Sequence, residues 1–367
     1  MMQNNNKLVF QKLIEEIGGN FLEKTIQKYK GDYRSQHFDT RSHLNSMLYL
    51  NIKDCKSLRA ANTEISANKK LKRLINVPSV SQFSRKNATR DYRIFEDIYY
   101  NLVEKARRRF GAARLSKDIP HVKIIDSTVI LVALKLAPHL KLDNERAGIK
   151  ISTLFNGEYP ERVSIVKAKV SDRRCIDELF MDKDSIYVFD RGYYDYRWYD
   201  RLTEQGIKFV TRGIKNAIVM EEQMLKSNTD KDIYDTKVVL GSTPGGNLTF
   251  RSYREIMTFD ESGEPVTFLT NIFDLDTEDI IKIYKHRWEI EIFFKWIKQN
   301  LRIKKYIGYN DNALRIQIFS ALVVYMLVYL CCNVTVAKHS MLVLTRIVRS
   351  NLLEKFDEYV YEYFRSR

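Results

Sequence analysis

Apolar positions recur at helical spacing through the first hundred residues. Leu8, Leu13, Ile14 and Ile17 have helical spacing ahead of Gly18 and Gly19. Asp39 or Thr40 is placed to cap the next helix, whose apolar face carries Leu44, Met47 and Leu48. Ser57 opens a short helix through Leu58, Ala61 and Ile65. A basic cluster, Lys69 to Arg73, and the break at Pro78 follow. Ser79 then leads through a polar stretch into a long helix expected from Asp91 to Arg109.

Near residue 120 the period changes. His121 to Ala133 is rich in β-branched residues and reads as a buried strand. Gly148–Phe155 and Arg162–Val170 flank the turn signal Asn156–Gly157 and form a hairpin. A short helix over Asp172–Phe180, a strand at Ser185–Phe189, a helix around Trp198–Gln205 and a strand at Ile207–Thr211 complete the series. Strand, hairpin, helix, strand, helix, strand is the order of an α/β ribonuclease-H-like core. Residues 213–272 read instead as an all-β insertion, with strands at Lys237–Leu240, Leu248–Tyr253, Ile256–Phe259 and Val266–Asn271 and a turn at Pro244–Gly245–Gly246. From Asp276 onward the pattern is helical. The expected organisation is therefore a helical domain over 1–115, a core built from 116–212 and 273–335, the insertion at 213–272, and a helical segment at 336–367. Ile316 to Val334 is apolar enough to consider as membrane-spanning, but it carries Gln317, Ser320 and Asn333 and reads better as a buried core helix.

Charge changes this picture. The chain has 61 Lys and Arg against 46 Asp and Glu, a net +15. Residues 1–120 hold 24 basic and 12 acidic side chains, whereas 121–367 hold 37 and 34. A basic helical module joined to a near-neutral one points to a polyanion partner, nucleic acid first, with a merely soluble basic surface as the alternative. The four cysteines, Cys55, Cys175, Cys331 and Cys332, form no C-x-x-C pair, so disulfides and structural zinc are not expected and a reducing cytoplasm fits. No apolar signal segment follows the first residues.

Three carboxylates attract attention within the core. Asp126 interrupts an apolar strand, where an unpaired carboxylate is costly. Asp190 stands at the exit of the strand at 185–189, expected to neighbour the first. Each aspartate alone is compatible with a structural role; two together make sense chiefly around a divalent metal. The third lies in the segment 284–298, YKHRWEIEIFFKWIK. On a continuous helix, with Glu291 at zero, Arg287 falls at about −40°, Tyr284 at about +20°, Lys298 at about −20° and Glu289 at about 160°. One stripe thus presents a carboxylate flanked by two cations and a phenol, which suits phosphodiester chemistry. An ordinary salt-bridge stripe, Arg287 to Glu291, is the competing interpretation.

Tyr-x2-Arg-x3-Glu-x6-Lys after two strand-end aspartates resembles the signature of bacterial insertion-sequence transposases with the DDE triad. Asp126-Ser-Thr, Asp190-Arg-Gly-Tyr-Tyr-Asp-Tyr, the 284–298 segment and a β insertion before the glutamate agree in order over roughly residues 120–335. The resemblance implies two magnesium ions, with manganese tolerated, held by Asp126, Asp190 and Glu291. It implies in-line phosphoryl transfer to water or a DNA 3′-hydroxyl, with Tyr284, Arg287 and Lys298 on phosphates. Terminal inverted repeats and target DNA are the implied partners, and a homodimer on DNA, nucleoid association in a bacterial cytoplasm and no membrane follow. A nuclease of the same fold that cuts without joining, and a non-catalytic DNA-binding descendant, are the alternatives. Some relatives hold a flipped base on a tryptophan in the insertion. This chain has none between 199 and 287, and Tyr253 or Phe250 is the available substitute. In the basic module, Gln82, Arg85, Lys86 and Thr89 share a face if 79–90 is helical, with Arg93 continuing it. That face is either a recognition helix or a solvated basic surface. Lys105 to Arg109 is expected on backbone phosphate.

Overall fold

The computed structural model describes residues 7–55, 57–111, 119, 121–172, 176, 179–180, 182–214, 217–228, 232–242, 247–300, 308–332 and 340–356. Seven helices come first: α1 (Val9–Glu15), α2 (Gly19–Lys28), α3 (Thr40–Lys53), α4 (Leu58–Ala67), α5 (Lys69–Lys72), α6 (Val80–Thr89) and α7 (Arg93–Phe110). Polar caps start four of them, where backbone N–H groups otherwise lack partners; at α5, Asn68 Oδ1 accepts from Lys70 N at 2.9 Å and Leu71 N at 3.2 Å. Asp39 accepts from Ser42 N at 2.6 Å, Ser57 from Ala60 N at 3.1 Å and Ser79 from Gln82 N at 3.2 Å. Helix α2 is not announced by the pattern: its buried face is only Leu22, Thr25 and Ile26.

Ten strands form one mixed sheet: β1 (Val122–Ala133), β2 (Arg146–Phe155), β3 (Pro160–Lys167), β4 (Ile186–Phe189), β5 (Lys208–Arg212), β6 (Val219–Asn228), β7 (Ile233–Ser242), β8 (Asn247–Leu248), β9 (Tyr253–Phe259) and β10 (Pro265–Thr270). The order is β3-β2-β1-β4-β5-β10-β9-β7-β6, with β8 on β7. Its first five strands follow the ribonuclease-H-like order, β1, β4 and β5 being parallel. The insertion is not a separate layer. Strand β10 pairs antiparallel with β5 and carries the sheet onward. The strand expected at 248–253 is instead a two-residue β8 and a turn leading into β9. Helix α8 (Tyr196–Glu204) lays Trp198, Tyr199 and Leu202 against Phe189, Phe209 and Leu269 of the sheet. Each such buried side chain contributes roughly 1.5–3 kcal/mol. The helix expected at 172–180 falls largely outside the described residues, as does the turn at 244–246.

Helices α9 (Thr277–Lys285) and α10 (Trp288–Asn300) follow, then α11 (Asp311–Cys332) and α12 (Met341–Asn351). The chain divides into two compact units, 1–111 with 130–148 and 294–367, and 112–129 with 149–293. Within the first unit α11 packs on α3, α6, α7 and α12. Although α11 is long and apolar enough to cross a membrane, every residue from Ile316 to Leu330 is buried. It is the central helix of the first unit.

Candidate active site

Strand β1 runs parallel beside β4, and Ile125 against Phe189 is their last paired position. The next residue on each chain is an aspartate, Asp126 and Asp190. The sheet register thus delivers the two carboxylates to one end of adjacent strands, where α/β sheets place their ligands. Asp190 turns the chain into a short 3₁₀ segment, its Oδ1 accepting from Gly192 N at 2.8 Å. A Cβ at Gly192 would stand 2.9 Å from that oxygen, so glycine is what lets the loop fold back onto the carboxylate.

Burial pushes the Asp126 carboxyl up to about 7, and the charges of Asp190 and Glu291 add to the rise; the Ser127 N–H and Arg287 oppose it. Asp126 Oδ1 accepts from Ser127 N at 2.7 Å. Asp190 and Glu291 are therefore each within electrostatic reach of Asp126.

The stripe drawn on one continuous helix is corrected here. Helix α9 ends at Lys285 and α10 begins at Trp288. Between them Arg287 N bonds Tyr284 O, Glu289 N bonds His286 O and Ile290 N bonds Arg287 O, each three residues back. Such closing bonds tighten the turn to about three residues, so the 100° spacing fails across it. Tyr284, Arg287 and Glu291 of that stripe still lie together. Arg287 Nη2 lies 2.5 Å from Glu291 Oε1 and Nη1 lies 3.6 Å from Asp126 Oδ2. The guanidinium stands 5.9 Å from the Tyr284 ring centre. Tyr284, Arg287, Asp126 and Glu291 meet, and Arg287 is only 20% exposed, which is more than a surface i,i+4 pair. Lys298 is exposed, two turns beyond Glu291 on α10. Glu289 turns elsewhere, its Oε1 on His286 Nδ1 at 3.0 Å.

Several neighbours escaped the sequence reading. Ser127 Oγ donates to Asp172 Oδ1 at 2.6 Å, and Lys150 Nζ lies 3.0 Å from the same oxygen. Lysine in the apolar run of β2 was the available signal. From helix α8, buried Asp200 accepts from three groups of the insertion, Phe250 N at 2.8 Å, Arg251 N at 3.2 Å and the Tyr253 hydroxyl at 2.8 Å. Tyr253 is consequently buried, and of the two aromatics weighed for base stacking only Phe250, 82% exposed, faces solvent.

Hard oxygen donors bearing three charges, offset by one guanidinium, suit a divalent cation such as magnesium or manganese. Among the described residues no three acidic, histidine or cysteine side chains are drawn tightly enough to enclose one, Arg287 standing between Asp126 and Glu291.

On α6, Arg85 is exposed and Gln82 half-buried. Lys86 turns inward and donates to Ser35 Oγ at 2.6 Å; burial, then Arg90, hold its pKa below the usual lysine value. Thr89 Oγ1 bonds back to Arg85 O. The expected four-residue face is thus reduced to Gln82 and Arg85. In the basic run, Lys105 and Arg109 pair with Glu16, and Arg108 pairs with Glu104.

Known families match both halves of the chain. The transposase DDE domain matches residues 119–327, and a domain of unknown function matches 5–74. A putative transposase of Sinorhizobium fredii is 29% identical over 280 residues, covering 74% of this chain and 76% of that protein. A probable insertion-sequence transposase of Geobacillus stearothermophilus is 27% identical over 251 residues, covering 67% and 66%. A putative insertion-sequence transposase of Synechocystis is 26% identical over 284 residues, covering 75% and 78%. Among solved structures, a piggyBac transposase synaptic complex with hairpin DNA aligns with 97% of this chain and 84% of its own at a TM-score of 0.48 and 10% identity, too slight a likeness to carry an argument.

Proposed function

This chain belongs to the family of transposases with a DDE domain, and we propose that it binds terminal inverted repeats, cleaves donor DNA beside them and joins the ends to target DNA. The observation that carries this reading is Arg287 spanning Asp126 and Glu291, with Asp190 beside Asp126 at the end of the β1–β4 pairing. In it, Asp126, Asp190 and Glu291 would hold two magnesium ions, with manganese an acceptable replacement, and metal bound there would supply the Lewis acidity that in-line phosphoryl transfer needs.

The side chains have separable tasks. Asp126 and Asp190 are fixed by the sheet and set the position of the reacting phosphate. Glu291 arrives on α10 and completes the donor set. Arg287 spans Asp126 and Glu291 while the acids are otherwise uncompensated, and its guanidinium is suited to grip a phosphate oxygen once their charge is met. Tyr284, beside it, and Lys298, further along α10, extend that grip along the backbone. Phe250, presented on a turn anchored by Asp200, is the side chain suited to stacking an unpaired base. Gln82 and Arg85 on α6 read the repeat, with Lys86 anchoring the helix to the loop beside it. Both element ends must be cut together, so the active species on DNA is a homodimer, working at the nucleoid in the bacterial cytoplasm.

A strand-transfer assay tests the reading. A labelled DNA carrying the element's terminal repeat, incubated with magnesium and a supercoiled plasmid, should yield both cleaved ends and label covalently joined to plasmid. Cleavage without joining would make the protein a nuclease of the same fold; binding without either would make it a non-catalytic DNA-binding protein.

A further inference from the structure

We propose that the loop Lys30–His37, between α2 and α3, is a second DNA-contacting surface that grips backbone phosphate beside α6. The inference rests on the reading of this chain as a DNA-binding transposase and adds a surface to it.

The loop sorts its charges by direction. Its one acid, Asp32, is engaged although 38% exposed, Oδ1 accepting from Thr40 N at 2.6 Å and Thr40 Oγ1 at 2.7 Å, and Asp39 just beyond the loop caps α3. The guanidinium of Arg90, 1% exposed, fastens the inner side by donating to the carbonyls of Gly31, Phe38 and Asp39 and to Ser35 Oγ. Outward go Lys30, Tyr33, Arg34, Gln36 and His37, all exposed. Tyr33 is 66% exposed, and Arg34 lies over its ring at 5.1 Å. A large aromatic ring held in water beside a guanidinium, with the neighbouring carboxylates hydrogen-bonded to the start of α3, is complementary to a polyanion with flat sugar surfaces.

Two further features favour a built surface over a casual turn. Lys30 and Arg34 both adopt positive φ, 49° and 53°. Non-glycine residues hold such angles where the surroundings over-determine them, and Arg90 supplies that here. The loop is also tied to α6: Lys86 Nζ donates to Ser35 Oγ at 2.6 Å, and Arg90 immediately follows the helix. The cations of the loop thus stand next to the helix that carries exposed Arg85. Because the contacts run to phosphate and sugar, the loop contributes affinity and register without base preference.

The test is DNA binding by the full-length chain, wild type against Lys30→Ala/Arg34→Ala and against Tyr33→Ala. Fluorescence anisotropy would be followed across a salt series on a terminal-repeat duplex and on a scrambled duplex. Losing two phosphate contacts should weaken both duplexes by about 10-fold or more near physiological salt and lower the slope of log affinity against log salt by about 2. Tyr33→Ala should weaken both duplexes equally, with the salt slope unchanged. Thermal melting of the variants should match wild type, since the altered side chains are exposed. Unchanged affinity and slope in the double variant, against a wild type that binds, would overturn the loop assignment. A wild type that binds neither duplex would instead overturn the DNA-binding reading beneath it.

Discussion

Arg287 reaches Asp126 of β1 from the junction of two helices, its Nη1 3.6 Å from Oδ2. Since Nη2 of the same guanidinium lies 2.5 Å from Glu291, one cation holds two carboxylates that would otherwise repel. Arg287→Ala should therefore destabilise the metal-free protein by about 2 kcal/mol, the scale of a charge-assisted hydrogen bond, and slow cleavage of a labelled end. Added magnesium should raise the melting temperature of the variant more than that of wild type. An isolated surface pair predicts a loss under about 1 kcal/mol and normal cleavage. Melting with and without magnesium, beside a cleavage time course, separates the two.

Lys298→Ala, in the same assays, should melt like wild type and cleave more slowly, because an exposed cation contributes little to folding. Glu289→Ala should cleave normally, its carboxylate being engaged with His286. A larger cleavage defect in Glu289→Ala than in Lys298→Ala would remove Lys298 from the phosphate grip.

The pH dependence of stability has a definite sign. Unfolded, Asp126 titrates near 3.9; folded, burial raises it to about 7. A carboxyl with a raised folded pKa contributes stability that is complete below the unfolded value and is lost as pH rises through the folded one. In chelator, wild type should lose up to about 4 kcal/mol between pH 4 and 8 from this group. Asp126→Asn should abolish that component and melt higher than wild type at pH 8. Equal melting temperatures of the two proteins at pH 8 without metal would show that the carboxyl is not under this strain.

A buried ion pair supports the approach to the site. Arg254, 8% exposed, forks onto Asp235, 1% exposed, and donates to Leu275 O and Thr277 Oγ1 at the entry to α9. Asp235→Ala leaves that guanidinium buried and unpaired, and should cost about 3–5 kcal/mol. Denaturant melts will show this; a cost below about 1 kcal/mol would mean that water replaces the carboxylate.

Local pattern carried much of this arrangement. Asp39 and Ser57 announced their helices because capping is decided within four residues. Strands β1 and β4 were legible as apolar runs with an aspartate that apolar packing does not explain. What stayed hidden depends on partners distant in sequence. Strand β6 reads VMEEQMLKSN, without alternation, because it is an edge strand that leaves Met220, Met224 and Leu225 exposed. The break at His286–Arg287 has no glycine or proline to signal it. Lys86 looked like part of an outward face until Ser35, 51 residues away, was seen to receive it. Asp172 entered the site neighbourhood through Lys150 of β2 and Ser127 of β1, a meeting that only the sheet order determines.

The central claim is that Asp126, Asp190 and Glu291 act together on a phosphodiester through bound metal. Its most direct measurement is magnesium-dependent cleavage of a labelled terminal-repeat duplex by Asp126→Asn, Asp190→Asn and Glu291→Gln, with DNA affinity measured in parallel. Each variant should bind DNA within a few-fold of wild type and lose several kcal/mol of transition-state stabilisation, about 1,000-fold or more in rate. Near-normal cleavage by any one of the three would contradict the account.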